Sequence, residues 1–315
     1  MNFKFAVIGG GAWGTAIANL LARLENSSVV IWAQEKEVVG EINSKNKNSL
    51  FLKDIVLEKN IYATEKLSEA IAPFIFYVTP AQNFREIISA HKKYIDKKCE
   101  IVICSKGIEI SSGKLLSDII NSILPNINYY ILSGPSFAHE VANNKPAALV
   151  ISSKNIKNSI KVSNYISSKN FRLYPSDDII GVQLGGAIKN IYAISSGIVS
   201  GLNYGENAVA AILTRAISEM VRISIALGGN KESIFGLSGV GDILLTCTSK
   251  HSRNFTLGVA IGEGDKIEQI IENRKTIAEG YYTSKAIYNL IKELEIDTPI
   301  LNSVYNILFN AANPI

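Results

Sequence analysis

A chain of 315 residues is longer than one average domain, and two domains of roughly 150 residues each are the starting expectation. With 47% hydrophobic and 19% charged residues, the composition is that of a globular enzyme and excludes a disordered or fibrous chain. The formal charge of +4, from 32 basic and 28 acidic residues, is mild and scattered, so it gives no nucleic-acid footprint and leaves small anionic ligands as the compatible partners.

Phe3 to Ile8 reads as a short buried strand, and GGGAWG follows at once with Gly9, Gly11 and Gly14 in G-x-G-x-x-G register. A helix opens at Thr15, and Ser27 to Gln34 reads as the next strand, which completes a βαβ unit. Each glycine has its own reason. Gly9 permits the tight turn, Gly11 lets the backbone approach a pyrophosphate, and Gly14 lets the helix pack close to the strand. The anion then sits on the amides and dipole of the helix N-terminus. At the end of the second strand an acidic residue favours NAD and a basic one NADP; Gln34, followed by Glu35 and Lys36, decides neither.

From Glu37 to Leu67 the chain is polar and rich in Asn and Lys, and reads as a helix followed by an irregular connection, with a flexible stretch near Asn43 to Asn48. Strands recur in FIFYVTP, EIVICSKG, YYILSGPSF and AALVISS, with helical connections between the first three, and FRLYPSDD from Phe171 to Asp178 is the last. Ligands of an open parallel sheet bind at the carboxyl ends of its strands, so Thr79 with Gln82, Ser105 with Lys106, and Ser133 through Ser136 are candidates. Lys106 is the full charge among them.

Beyond Asp178 no strand-like alternation remains. Helices are expected over Ile180 to Val199, Asn207 to Leu227, Ile234 to Thr246, Phe255 to Gly262, Lys266 to Asn273, Tyr281 to Leu294 and Leu301 to Asn310. The shift from alternating βα to all-α places one boundary there, giving domains 1–178 and 179–315. The first of these helices is apolar almost throughout yet carries Gln183, Lys189 and Asn190, and Gly185 and Gly186 leave room near the lysine. A buried ammonium needs a carboxylate or an anionic ligand. Asp242, just after Gly239 and Gly241, fits either a helix N-cap or the carboxylate that orients Lys189, and Thr246 shares its helix face. Ser252, Arg253 and Asn254 offer a hydroxyl, a guanidinium fork and an amide suited to a phosphate, or else a solvated surface triplet.

Cys99, Cys104 and Cys247 lack metal-ligand spacing, and His91, His139 and His251 do not supply it, so no metal and no disulfide framework is expected. No apolar run is long enough to span a membrane and the N-terminus does not read as a signal peptide, which makes the cytoplasm the expected location.

The stretches GGGAWGTAIA, SKGIEISSGKLLSD, SGPSFAHEVA, IGVQLGGAIKNIYAISSG, LSGVGDILLTCTSKHSRN and AEGYYTSK span nearly the whole chain, and in them it resembles the bacterial NAD(P)-dependent glycerol-3-phosphate dehydrogenases. The resemblance implies an α/β Rossmann dinucleotide-binding domain followed by an all-α domain of the 6-phosphogluconate dehydrogenase C-terminal type. It implies NAD(H)- or NADP(H)-dependent, reversible reduction of dihydroxyacetone phosphate to sn-glycerol 3-phosphate for phospholipid synthesis, by a homodimer. Residue by residue it implies Lys189 as proton donor and acceptor with Lys106 and Asp242 beside it, and Gly134, Ser136, Thr246, Ser252, Arg253 and Asn254 at the substrate. Ala12, Trp13, Gln34, Ala138, Ile277 and Glu279, with the glycines, Lys106 and Arg253, would line the cofactor. Gln34 departs from the Arg or His that related sequences often carry. Two other readings remain at this point: a related reductase of a carboxylate substrate such as a β-hydroxy acid or ketopantoate, and a silent nucleotide-sensing module. The four polar residues Lys106, Lys189, Asp242 and Arg253 together argue against the sensor, which needs a pocket but no proton donor.

Overall fold

Phe5–Ile8, all four residues buried, forms β1; a continuous apolar run is what a parallel strand needs when both its faces are covered. The computed structural model describes residues 3–272 and 278–315. After β1 the chain runs through α1 (Ala12–Ala22), β2 (Val29–Trp32), α2 (Lys36–Lys45), β3 (Ile61–Thr64), β4 (Phe74–Tyr77), α3 (Phe84–His91) and β5 (Glu100–Ile103). Then come α4 (Leu116–Ile123), β6 (Asn128–Ser133), α5 (Ala138–Ala142), β7 (Ala147–Ser152), α6 (Ile156–Ile166) and β8 (Phe171–Ser176). The strands make one sheet in the order β3-β2-β1-β4-β5-β6-β7-β8. Ile8 lies in parallel register with Trp32 on one side and Tyr77 on the other. Strand order therefore reverses between β1 and β4, the switch point at which open α/β sheets bind ligands.

The strand β3 falls where the sequence reads as an irregular connection. Ile61 and Ala63 are buried while Tyr62 is exposed, the alternation of a half-covered edge strand. Four residues bounded by Lys59, Asn60, Glu65 and Lys66 are too short for that period to stand out. Asn43 of α2 pairs with the strand backbone, donating to the Ala63 carbonyl and accepting from the Ala63 amide.

The second half is helical: α7 (Ile179–Gly201), α8 (Glu206–Ala226), α9 (Lys231–Phe235), α10 (Asp242–Cys247), α11 (Arg253–Gly262), α12 (Ile267–Glu272), α13 (Glu279–Glu293) and α14 (Pro299–Asn310). Asp178 starts α7 by accepting from the Gly181 amide at 2.8 Å, and its other oxygen accepts from Asn230 at 2.9 Å. The single helix expected over Ile234 to Thr246 is instead broken. α9 ends at Phe235, a π-helical turn covers Leu237–Gly241, and α10 restarts at Asp242. The reason is close packing: a Cβ on Gly239 would fall 2.0 Å from the Ile234 carbonyl oxygen, and one on Gly185 of α7 2.6 Å from that of Ser238. Glu219 of α8, buried, receives the Tyr192 hydroxyl and the amides of Ile300 and Leu301, and so caps α14.

Packing divides the chain into two units, and not by one cut after Asp178. The first runs through Ser105 and includes Leu116–Leu132 and Ser136–Asp177. The second takes Lys106–Leu115, Ser133–Pro135 and the chain from Asp178 onward. Two strand-end segments thus belong, by packing, with the helices. Among the described residues no helix is long and apolar enough to cross a membrane.

Candidate active site

Lys189 sits in the middle of α7, 6% exposed, among apolar neighbours that give its charge no solvation. Its Nζ donates to Asp242 Oδ1 at 2.5 Å and to Thr246 Oγ1 at 2.7 Å. The other carboxylate oxygen of Asp242 accepts from Lys106 Nζ at 2.7 Å, and Lys106 also donates to the Gly134 carbonyl at 3.1 Å. Gly134 can present that carbonyl because its φ of 146° is open to glycine. Asp242 and Thr246 stand one helical turn apart on α10, as i,i+4 spacing requires. Asp242 opens α10 without capping it; its carboxylate bridges the two ammonium groups.

Two cations, buried Lys189 and half-buried Lys106, share one carboxylate, so the cluster carries one positive charge in excess. Burial pushes the Lys189 ammonium down from its ordinary 10.5 to about 8; Asp242 pulls it back up, and Lys106 pushes it further down. Such a group is poised to give and take a proton near neutral pH and attracts a ligand that brings negative charge. Gly185 and Gly186 do not make room for the ammonium. A Cβ on Gly186 would meet Ser133 Oγ at 2.3 Å, so the two glycines admit Ser133 and the π-helical turn that precedes Asp242.

The triplet at the start of α11 divides. Ser252 is buried and caps the helix, accepting from the Phe255 amide at 3.2 Å. Asn254 is buried; its amide donates to Asn190 Oδ1 and its oxygen accepts from the Gly280 amide, both at 2.9 Å, so it ties α7, α11 and α13 together one residue from Lys189. Arg253 between them is exposed at the helix N-terminus. The Asn190–Asn254 bridge was not legible in the sequence, since it joins residues 64 apart. Glu279 opens α13 half-buried, and Ile277 lies outside the described residues.

In the first unit the glycine-rich turn joins β1 to α1. Gly9 has φ of 126°, and a Cβ there would fall 2.7 Å from the Val78 carbonyl oxygen at the end of β4. A Cβ on Gly14 would fall 1.8 Å from the Gly9 carbonyl oxygen. Gly11 differs: a Cβ there meets nothing within 4 Å. It is also the N-cap of α1, no side chain caps that end, and no acidic residue occupies the first turn. These residues fit a dinucleotide, because an uncapped helix start with open space before it accommodates a pyrophosphate. Ala12 and Trp13 follow, packed against the core, as is Ala138 at the start of α5. Ser136 is half-buried, and Gln34 is exposed just beyond β2.

Residues 4–159 match the family described as NAD-dependent glycerol-3-phosphate dehydrogenase N-terminus, and residues 178–315 match its C-terminus. The chain is 42% identical over 304 residues to a glycerol-3-phosphate dehydrogenase (NAD(P)+) of Clostridium tetani, covering 96% of this chain and 87% of that protein. It is 41% identical over 312 residues to a protein of the same name from Erythrobacter litoralis, covering 99% and 93%. Among solved structures, glycerol-3-phosphate dehydrogenase from Coxiella burnetii superimposes with a TM-score of 0.94 at 35% identity, covering 99% of this chain and 96% of that one.

Proposed function

Since the chain belongs to the family of NAD-dependent glycerol-3-phosphate dehydrogenases, we propose that it reduces dihydroxyacetone phosphate reversibly to sn-glycerol 3-phosphate, with Lys189 moving the proton. The observation that carries this reading is the Lys189–Asp242–Lys106 cluster with its unbalanced positive charge. As an ammonium, Lys189 hydrogen-bonds the ketone oxygen and delivers a proton as negative charge grows there. In the oxidative direction the neutral amine takes the alcohol proton. Asp242 and Thr246 fix the direction of Nζ, and Lys106 keeps the Lys189 proton labile by lowering its affinity. Gly134 and Ser136 would contact the substrate.

Arg253 would hold the phosphate at the start of α11, where the helix dipole favours an anion, with Ser252 and Asn254 keeping that helix start in place. Binding the remote phosphate orients the ketone for reaction. Gly9, Gly11, Ala12, Trp13 and Gly14 would hold the nucleotide, together with Gln34 and Ala138. When bound, the nicotinamide supplies or accepts the hydride. The product would serve phospholipid synthesis, in a cytoplasmic homodimer.

The test follows the absorbance of NADH and, separately, NADPH on addition of dihydroxyacetone phosphate, with a β-keto acid as control. Oxidation with the phosphorylated ketone alone supports the reading, and the ratio of the two cofactors gives the preference that Gln34 leaves open. Nucleotide binding without oxidation of either cofactor would overturn it.

A further inference from the structure

The polar connection after α2, expected to be flexible, sends one side chain into the core of the first unit. Asn48 is fully buried, and its Nδ2 donates to the Gly10 carbonyl at 2.8 Å and to Thr15 Oγ1 at 2.7 Å. Thr15, equally buried on α1, donates its own hydroxyl to the same carbonyl at 3.2 Å. The Gly10 carbonyl oxygen is thus gripped from two sides. Asn48 is in turn fixed by its neighbours: its Oδ1 accepts from the Phe51 amide at 3.3 Å and its carbonyl from the Leu52 amide at 2.8 Å, with Leu52 buried in the core.

Peptide planarity transmits this grip. A carbonyl turned inward at Gly10 turns the N–H of Gly11 the opposite way across the same trans peptide. Gly11 is the N-cap of α1, the residue with open space before it. The orientation of the Gly11 amide is therefore set by Asn48 and Thr15.

We propose that Asn48 is a positioning residue of the dinucleotide site, which with Thr15 locks the Gly10–Gly11 peptide in the orientation that binds the cofactor pyrophosphate. This deepens, and rests on, the reading of the first unit as the nucleotide-binding domain. The polar connection is then part of the cofactor cradle, although the glycine motif alone contains no sign of it.

The experiment compares Asn48→Ala with Asn43→Ala in the full chain. Exposed Asn43, five residues earlier, bonds the β3 backbone and makes no bond to the glycine turn. Dissociation constants for NADH are measured by nicotinamide fluorescence, alongside Tm and steady-state constants. Losing a buried hydrogen bond to the cradle should raise the Kd and KM for NADH about tenfold in Asn48→Ala, with kcat at saturating NADH and KM for dihydroxyacetone phosphate within about twofold of wild type. Asn43→Ala should lower Tm and leave the NADH constants alone. An Asn48→Ala protein that loses Tm but binds NADH as wild type does would refute the proposal. If Asn48→Ala does not fold, Thr15→Val decides, because it deletes the second donor to the same carbonyl; an unchanged NADH Kd there also refutes it. A wild-type chain that binds no NADH overturns the nucleotide reading itself, and the inference with it.

Discussion

The proposed mechanism concentrates the chemistry of the chain in one titration, that of Lys189. With its folded value near 8, the ammonium is present at neutral pH and lost just above it. Ketone reduction, which needs the proton, should fall in kcat/KM as pH rises through about 8, and alcohol oxidation should rise through the same range. The neighbours set where the limb falls. Asp242 raises the Lys189 value and Lys106 lowers it, so Asp242→Asn moves the limb to lower pH and Lys106→Met to higher pH. A pH–rate profile of each variant in both directions checks these signs, and a limb that stays put in both would exclude Lys189 as its source.

Stability follows the same proton with its own sign. The folded value lies below the unfolded one, so between about 8 and 10.5 the unfolded chain holds a proton that the folded chain has released, and stability rises with pH there. Below that window, burying the charged ammonium costs about 3 kcal/mol. Lys189→Met removes this cost and leaves Asp242 paired with Lys106, so its Tm should match or exceed wild type while kcat falls about 10²- to 10⁴-fold. Asp242→Asn leaves two ammonium groups facing each other and should lose roughly 3–5 kcal/mol. Thermal unfolding that ranked the two variants the other way would contradict this account of the cluster. Lys106, Lys189 and Asp242 were legible as candidates because each is a full charge among glycines or apolar residues. Which of two roles Asp242 takes was not, since a cap and a counterion look alike until the helix start is seen.

At the scale of elements, α7 and α11 meet backbone to backbone. A Cβ on Gly258 would fall 2.0 Å from the Ile194 carbonyl oxygen, and one on Gly197 2.1 Å from that of Phe255. Gly201 and Gly262, each four residues on, repeat the contact one turn later. This crossing holds α11, and with it Ser252, Arg253 and Asn254, beside the helix that carries Lys189. Glycine in a helix ordinarily weakens it, so the same substitution should have opposite signs at two places. Gly40→Ala in α2, where a Cβ meets nothing within 4 Å, should stabilise by about 0.5–1 kcal/mol. Gly258→Ala should instead destabilise by about 1–3 kcal/mol, because it forces the helices apart. Urea midpoints give both. The four-residue glycine spacing can be seen in the sequence, but which helices face each other cannot. The same holds for β3 and for the break before Asp242: a four-residue edge strand has too short a period to read, and a π-helical turn keeps an apolar helical pattern while changing its course.

On the scale of the whole molecule, the proposed function divides between the units: the glycine-rich turn proposed to cradle a dinucleotide lies in the first, and the buried lysine proposed to donate the proton lies in the second. The halves were readable in the sequence to different degrees. The glycine register is what marks the proposed cradle in the sequence, whereas Lys106 and Gly134, early in sequence, join the second unit only through packing, which a boundary drawn from composition misses. Two substitutions should separate the units. Gly11→Val adds its side chain to open space, so the chain should fold as wild type does, yet the new methyls occupy the approach to the α1 amides. Ligand binding to the folded state stabilises it by RT ln(1 + [L]/Kd), about 2.7 kcal/mol at a hundredfold excess over Kd. NADH at that excess should therefore raise the Tm of the wild-type chain and of Lys189→Met alike, and leave Gly11→Val unmoved. A Gly11→Val protein that keeps the full NADH shift would place the nucleotide elsewhere than at the start of α1. A Lys189→Met protein that loses the shift would make the two functions inseparable, because the proton donor would then be needed for nucleotide binding as well.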